Sequence, residues 1–77
     1  MNPKDLLREK LEGIYEEYPE FIARKVFAES IDRSNRTLAN LDSRGIGIPG
    51  AIKINRLVYY PKIECINWLL KNMEEKL

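Results

Sequence analysis

The chain has 77 residues, 44% hydrophobic and 32% charged, with a formal net charge of +1. So short a chain buries one core, so a single domain is expected over residues 1–77, and this apolar content excludes a disordered tail. Histidine is absent and Cys65 is the one cysteine, which excludes an internal disulfide and speaks against a zinc site or a Cys/His catalytic pair.

The first segment, Pro3 to about Glu17, reads as an amphipathic helix. Asn2 suits the N-cap, Pro3 the first helical position and Asp5 the first turn. Leu7, Leu11, Ile14 and Tyr18 recur at helical spacing, flanked by Leu6 and Tyr15, until Tyr18-Pro19 breaks the run. A second helix is predicted from Pro19 or Glu20 to Ser30, with Phe21, Ile22, Val26 and Phe27 on its apolar face. Its end is poorly marked, because Ile31-Asp32-Arg33 holds no glycine.

Ser34, or else Asp32, caps a third helix from Asn35 to about Ser43. Leu38 and Leu41 face inward on it, and Gly45 stands where a left-handed C-cap residue is expected. Gly45 to Gly50 then reads as a loop, with Pro49-Gly50 suited to a turn. Ala51-Ile52-Lys53-Ile54 and Leu57-Val58-Tyr59-Tyr60 are short β-rich runs, read as a hairpin turning at Asn55-Arg56. Arginine suits the second turn position poorly, so a longer loop stays open. Alternation buries one of Tyr59 and Tyr60. Pro61 opens a last helix to about Lys76, with Ile66, Leu69, Leu70 and Met73 on one face and Trp68 beside it; Cys65 is expected as an inert, partly buried thiol.

Charge is distributed unevenly along these elements. Residues 33–62 carry Arg33, Arg36, Arg44, Lys53, Arg56 and Lys62 against Asp42 alone, whereas residues 1–32 are net acidic. Two short helices joined by a tight turn, the second capped by serine, form a helix-turn-helix unit whose second helix fits the major groove. Asn35 and Arg36 at that helix start, and Asn40 one turn on, are side chains suited to base edges; arginine pairs bidentately with guanine and asparagine with adenine. Lys53, Asn55 and Arg56 give the hairpin a basic tip able to reach phosphate. Arg33, Ser34 and Arg44 complete the candidate DNA-contacting set, the arginines as phosphate ligands. The acidic residues Glu9, Glu12, Glu16, Glu17 and Glu20 read as a solvated face.

Five stretches in order resemble the MerR-like winged helix-turn-helix family of phage excisionases and AlpA-type regulators. They are Ser34-Asn35-Arg36-Thr37-Leu38, Ser43-Arg44-Gly45, Pro49 to Ile54, Val58-Tyr59-Tyr60-Pro61 and Ile66-Asn67-Trp68-Leu69. The resemblance covers residues 21–72. It departs from the family at Asn55, where glycine is usual, and at Ile31-Asp32-Arg33-Ser34, where the family commonly has a G-V-S connection. It implies a mainly α fold with a small β-hairpin: a winged helix-turn-helix core over residues 19–76 and an additional N-terminal helix over 1–18. It also implies sequence-specific binding of double-stranded DNA, as a transcriptional regulator or excisionase-like factor of a prophage or mobile element.

Two other readings stand beside it. Phage packaging proteins of the terminase small-subunit kind use a similar winged fold, and the N-terminal helix could instead serve a protein-interaction module. No enzymatic activity, cofactor or metal is expected, for want of a nucleophile–base pair, metal ligands or a phosphate-binding glycine loop. No run approaches the ~18 apolar residues of a membrane helix, so a cytoplasmic, nucleoid-associated protein without a membrane partner is expected. A homodimer or an integrase or recombinase partner is left open.

Overall fold

The computed structural model describes residues 2–76, with side chains as far as Met73, so the terminal residues of the domain expected over 1–77 lie outside the described residues. Among the described residues, four helices and a three-stranded antiparallel sheet succeed one another in a mainly helical α/β arrangement. Helix α1 (Pro3–Ile14) begins as its residues dictate, with Asn2 Oδ1 accepting from the Asp5 amide at 2.9 Å. It stops at Ile14, short of the expected Glu17, with Tyr15 as C-cap.

The buried stripe of α1 departs from the expected one at a single position, where Tyr15 replaces Ile14. Leu11 and Tyr15 are buried and Leu7 and Tyr18 pack beside them, while Ile14 is 63% exposed. Both phases fit a helical period. Tyr15 takes the inner place because its ring meets Tyr18 and Phe27, at 4.9 and 5.9 Å between centroids, and its hydroxyl finds a partner. Ser30 Oγ donates to the Phe27 carbonyl, so Tyr15 donates to Ser30 at 2.6 Å. This contact ties the end of α1 to the next helix.

The second helix does not begin near Pro19, because Phe21–Ala23 form strand β1. Ile22 pairs with Tyr60, Phe21 with Pro61 and Ala23 with Tyr59 on strand β3 (Leu57–Pro61). Three residues are too few to show a period, and pairing with a distant strand decides their conformation. Helix α2 therefore spans Arg24–Ser30, burying Phe27 and Ala28 and leaving Val26 exposed.

Helix α2 ends without glycine. Asp32 takes the left-handed conformation at φ 57, and the Arg33 amide donates to the Ala28 carbonyl and that of Asp32 to Glu29. Helix α3 (Asn35–Ser43) closes by the same pattern at Gly45, φ 75. Ser34, not Asp32, caps its start, accepting from the Thr37 amide at 3.0 Å.

Strand β2 (Ile52–Ile54) pairs with β3, giving the order β1-β3-β2. The hairpin turns on two residues, as Asn55 and Arg56 both accept positive φ, 50 and 72. Pro61 closes β3 instead of opening the last helix, α4 (Lys62–Lys76). Phe27 lies at the centre of the core, with Tyr60 and Trp68 edge-on at 6.3 Å each. Helix α1 packs on α4, where Cys65, Ile66 and Leu70 are buried. Cys65 is fully rather than partly enclosed, and burial, followed by the nearby Glu64 charge, pushes its thiol up to about 12.

Candidate nucleic-acid interface

Helix α3 presents two opposed faces. Leu38 is buried and Leu41 half-buried, whereas Arg36 and Asn40, one turn apart, are exposed with Ser43 a further turn on. Asn35 is exposed at the helix start and Arg44 at its C-cap. Arg33 is exposed in the preceding turn. Ser34 is exposed, but its side chain is engaged: besides capping the helix, its Oγ lies 2.8 Å from Thr37 Oγ1. Its part is to shape the helix start, not to offer a free hydroxyl.

On the hairpin, Lys53, Asn55 and Arg56 are all exposed. Lys53 lies opposite Val58, on the side of the sheet that holds Tyr60, and it lines a cleft with Arg24, Asp42 and Gly45. That cleft brings Lys53 alongside the second half of α3. Asn55 and Arg56 stand apart from it at the turn.

A polar link not foreseen in the sequence sets these parts relative to one another. Arg24 opens α2, Asp42 sits on α3 and Tyr60 on β3. Arg24 Nη2 donates to Asp42 Oδ2 at 2.7 Å and Nε to the Tyr60 hydroxyl at 3.0 Å, while that hydroxyl donates to the same Asp42 oxygen at 2.5 Å. The ion pair is mostly withdrawn from water, with 17% and 20% of the two side chains exposed. Burial alone would lower the Arg24 pKa, but its bonds to Tyr60 and Asp42 outweigh that and raise it. Burial, then the bond to Asp42, pushes the Tyr60 phenol up to about 12.

The loop between α3 and β2 is fitted to this link. A Cβ on Gly47 would overlap Asp42 Oδ1 and stand 3.0 Å from the Asp42 Cα, so only glycine allows the carboxylate its position. The one faint signal for the arrangement was Asp42 itself, a lone acid in a basic stretch with no local partner.

The link has an electrostatic consequence. Asp42, the single acid of residues 33–62, is neutralised by Arg24 from outside that stretch. Lys62, counted with the basic stretch, is half-buried, and its Nζ donates to the Tyr18 carbonyl at 2.9 Å. Arg33, Arg36, Arg44, Lys53 and Arg56 remain exposed. Among the described residues no group of three or more His, Cys, Asp or Glu could hold a metal ion, and no helix is long and apolar enough to cross a membrane. Comparison with family models, with curated proteins and with solved structures finds no match for this chain.

Proposed function

We propose that this chain binds double-stranded DNA as a winged helix-turn-helix domain, with α3 in the major groove and the β2–β3 hairpin as the wing. The observation that carries the reading is the exposed Arg36–Asn40 face of α3, opposite buried Leu38, beside a hairpin that adds Lys53 and Arg56. Pairing of Asp42 with Arg24 supports it, because the one carboxylate that would repel phosphate on α3 is neutralised. The element order, with a strand before the two helices and a hairpin after them, fits the same layout.

In this reading Arg36 and Asn40 read bases, and Asn35 lies beside them at the helix start. Arg33, Arg44, Lys53 and Arg56 hold phosphates, and Asn55 shapes the tip. The resemblance to excisionases and AlpA-type regulators makes a regulator or directionality factor of a mobile element the favoured role. The N-terminal helix is a weaker basis for a protein-interaction module, because its apolar stripe is already covered by α4.

Fluorescence anisotropy against duplex DNA at several salt concentrations tests the proposal. Arg36→Ala should weaken binding by about 1–3 kcal/mol at preferred sites and relax base preference, whereas Lys53→Ala should weaken binding to all sequences and flatten the salt slope by about one. Absence of salt-sensitive binding to any duplex would sink the proposal.

A further inference from the structure

The sheet has two faces of opposite fate. Ile22 and its partner Tyr60 point into the core. Alternation then turns Phe21, Tyr59 and Pro61 to the other side, and the register continues that side through Ile52, opposite Tyr59, to Ile54 and Leu57. This outer face carries no charged side chain along its length. Phe21, Ile52, Ile54 and Leu57 are 45%, 40%, 50% and 56% exposed. Half-buried Tyr59 and Pro61 lie between Phe21 and the other three in the register, so the face is apolar from end to end, and such a face on a small domain marks a contact surface.

Charges at the two ends say what covers it. At the Phe21–Pro61 end, Glu12, Glu16 and Glu20 border a groove of about 520 Å³ that the two apolar residues help to line; Lys62 also lines it, but its ammonium is turned to the Tyr18 carbonyl, and three carboxylates against one cation leave this end acidic. At the other end stands Arg56, in the turn between Ile54 and Leu57. A strip that is acidic at one end and basic at the other complements a copy of itself turned end for end. Nucleic acid finds no cation along the uncharged middle, and a peptide of one sign is matched at one end only.

We propose that this outer face is a two-fold contact between copies of the chain. The strips stack antiparallel about the Ile52–Tyr59 pair, and each wing tip lies against the partner's acidic border. The exposed apolar area is on the order of 400–500 Å² per copy, so a dimer hides roughly 800–1,000 Å², below the ~1,200 Å² where stable interfaces begin and in the range where association is weak and depends on concentration. The proposal does not rest on the DNA reading. Where Arg56 also holds a phosphate, duplex and second copy compete for it.

Sedimentation velocity without DNA, from about 10 µM to about 1 mM, reads the association in the range such an interface allows. The average mass should rise toward that of a dimer, and less so at high salt. Leu57→Lys should hold the chain monomeric; Ile54→Thr, which keeps strand propensity, is the companion should the lysine disturb folding by circular dichroism. Arg56→Glu should weaken association about tenfold, as should Glu16→Lys with Glu20→Lys, and combining all three should restore it. A wild-type chain monomeric throughout overturns the proposal, as does association that survives both outer-face variants. Failure of the combined charge reversal to restore association overturns the end-for-end arrangement.

Discussion

Asp42 holds three elements through one carboxylate. One of its oxygens accepts from both Arg24 and Tyr60, and the other lies against Gly47. Gly47→Ala should therefore act at a distance, expelling the carboxylate from its place and leaving Arg24 without its charged partner. A loss of about 2–3 kcal/mol is expected, in the range for hydrogen bonds to charged groups. In Asp42→Ala the same alanine should cost less, because the carboxylate it displaces is gone and only the 3.0 Å contact with the Cα of residue 42 is left. Urea denaturation of the two single variants and the double variant measures this coupling, and additive losses would show that Gly47 does not act through Asp42.

Arg56 poses a different trade at its single position. A non-glycine residue in the left-handed region costs about 1–2 kcal/mol, and a two-residue turn needs such a conformation at both of its positions. Arg56→Gly should raise the thermal midpoint while lowering affinity for every duplex tested. Heating curves and anisotropy on one preparation check both signs, and affinity that is unchanged or improved would remove Arg56 from the proposed interface.

Among the elements, legibility followed the strength of local signals. Helix α3 was readable residue by residue, because Ser34 and Gly45 mark its ends through backbone chemistry that operates within one turn. The hairpin was readable for the same reason, as β-rich runs flank two turn residues. Strand β1 was not, since Phe21–Ala23 owe their conformation to β3, nearly forty residues away. The phase of α1 was equally hidden, because choosing Tyr15 over Ile14 depends on Phe27 and Ser30. For the candidate site, the exposed residues could be named from sequence, but the Arg24–Asp42–Tyr60 link that sets α2, α3 and β3 could not.

For the molecule as a whole, alkali should be the more informative direction of titration. Cys65 and Tyr60 are both raised to about 12, from ordinary values of 9.0 and 10.0. Up to about pH 8 both are protonated whether the chain is folded or not, and their contribution is complete. Above it the unfolded thiol ionises first and then the unfolded phenol, while the folded groups hold their protons. Stability should thus be level from neutrality to about pH 8 and fall progressively toward pH 12. Cys65→Ala should lower the plateau and delay the decline until the phenol's range. Denaturant midpoints across that interval test the sign, and a rise with pH would contradict it.

Strands β1 and β2 never meet; each is keyed to β3 alone. A slip of one residue along β3 would turn Tyr60 outward and Tyr59 inward, parting the phenol from α2 and α3 in the same movement that displaced the hairpin tip. The reach of the arm and the tilt of the helix behind it are therefore geared together. A longer arm can be grown on this scaffold only by inserting matched pairs of residues beyond Ile54 and Leu57, where the gearing is not touched.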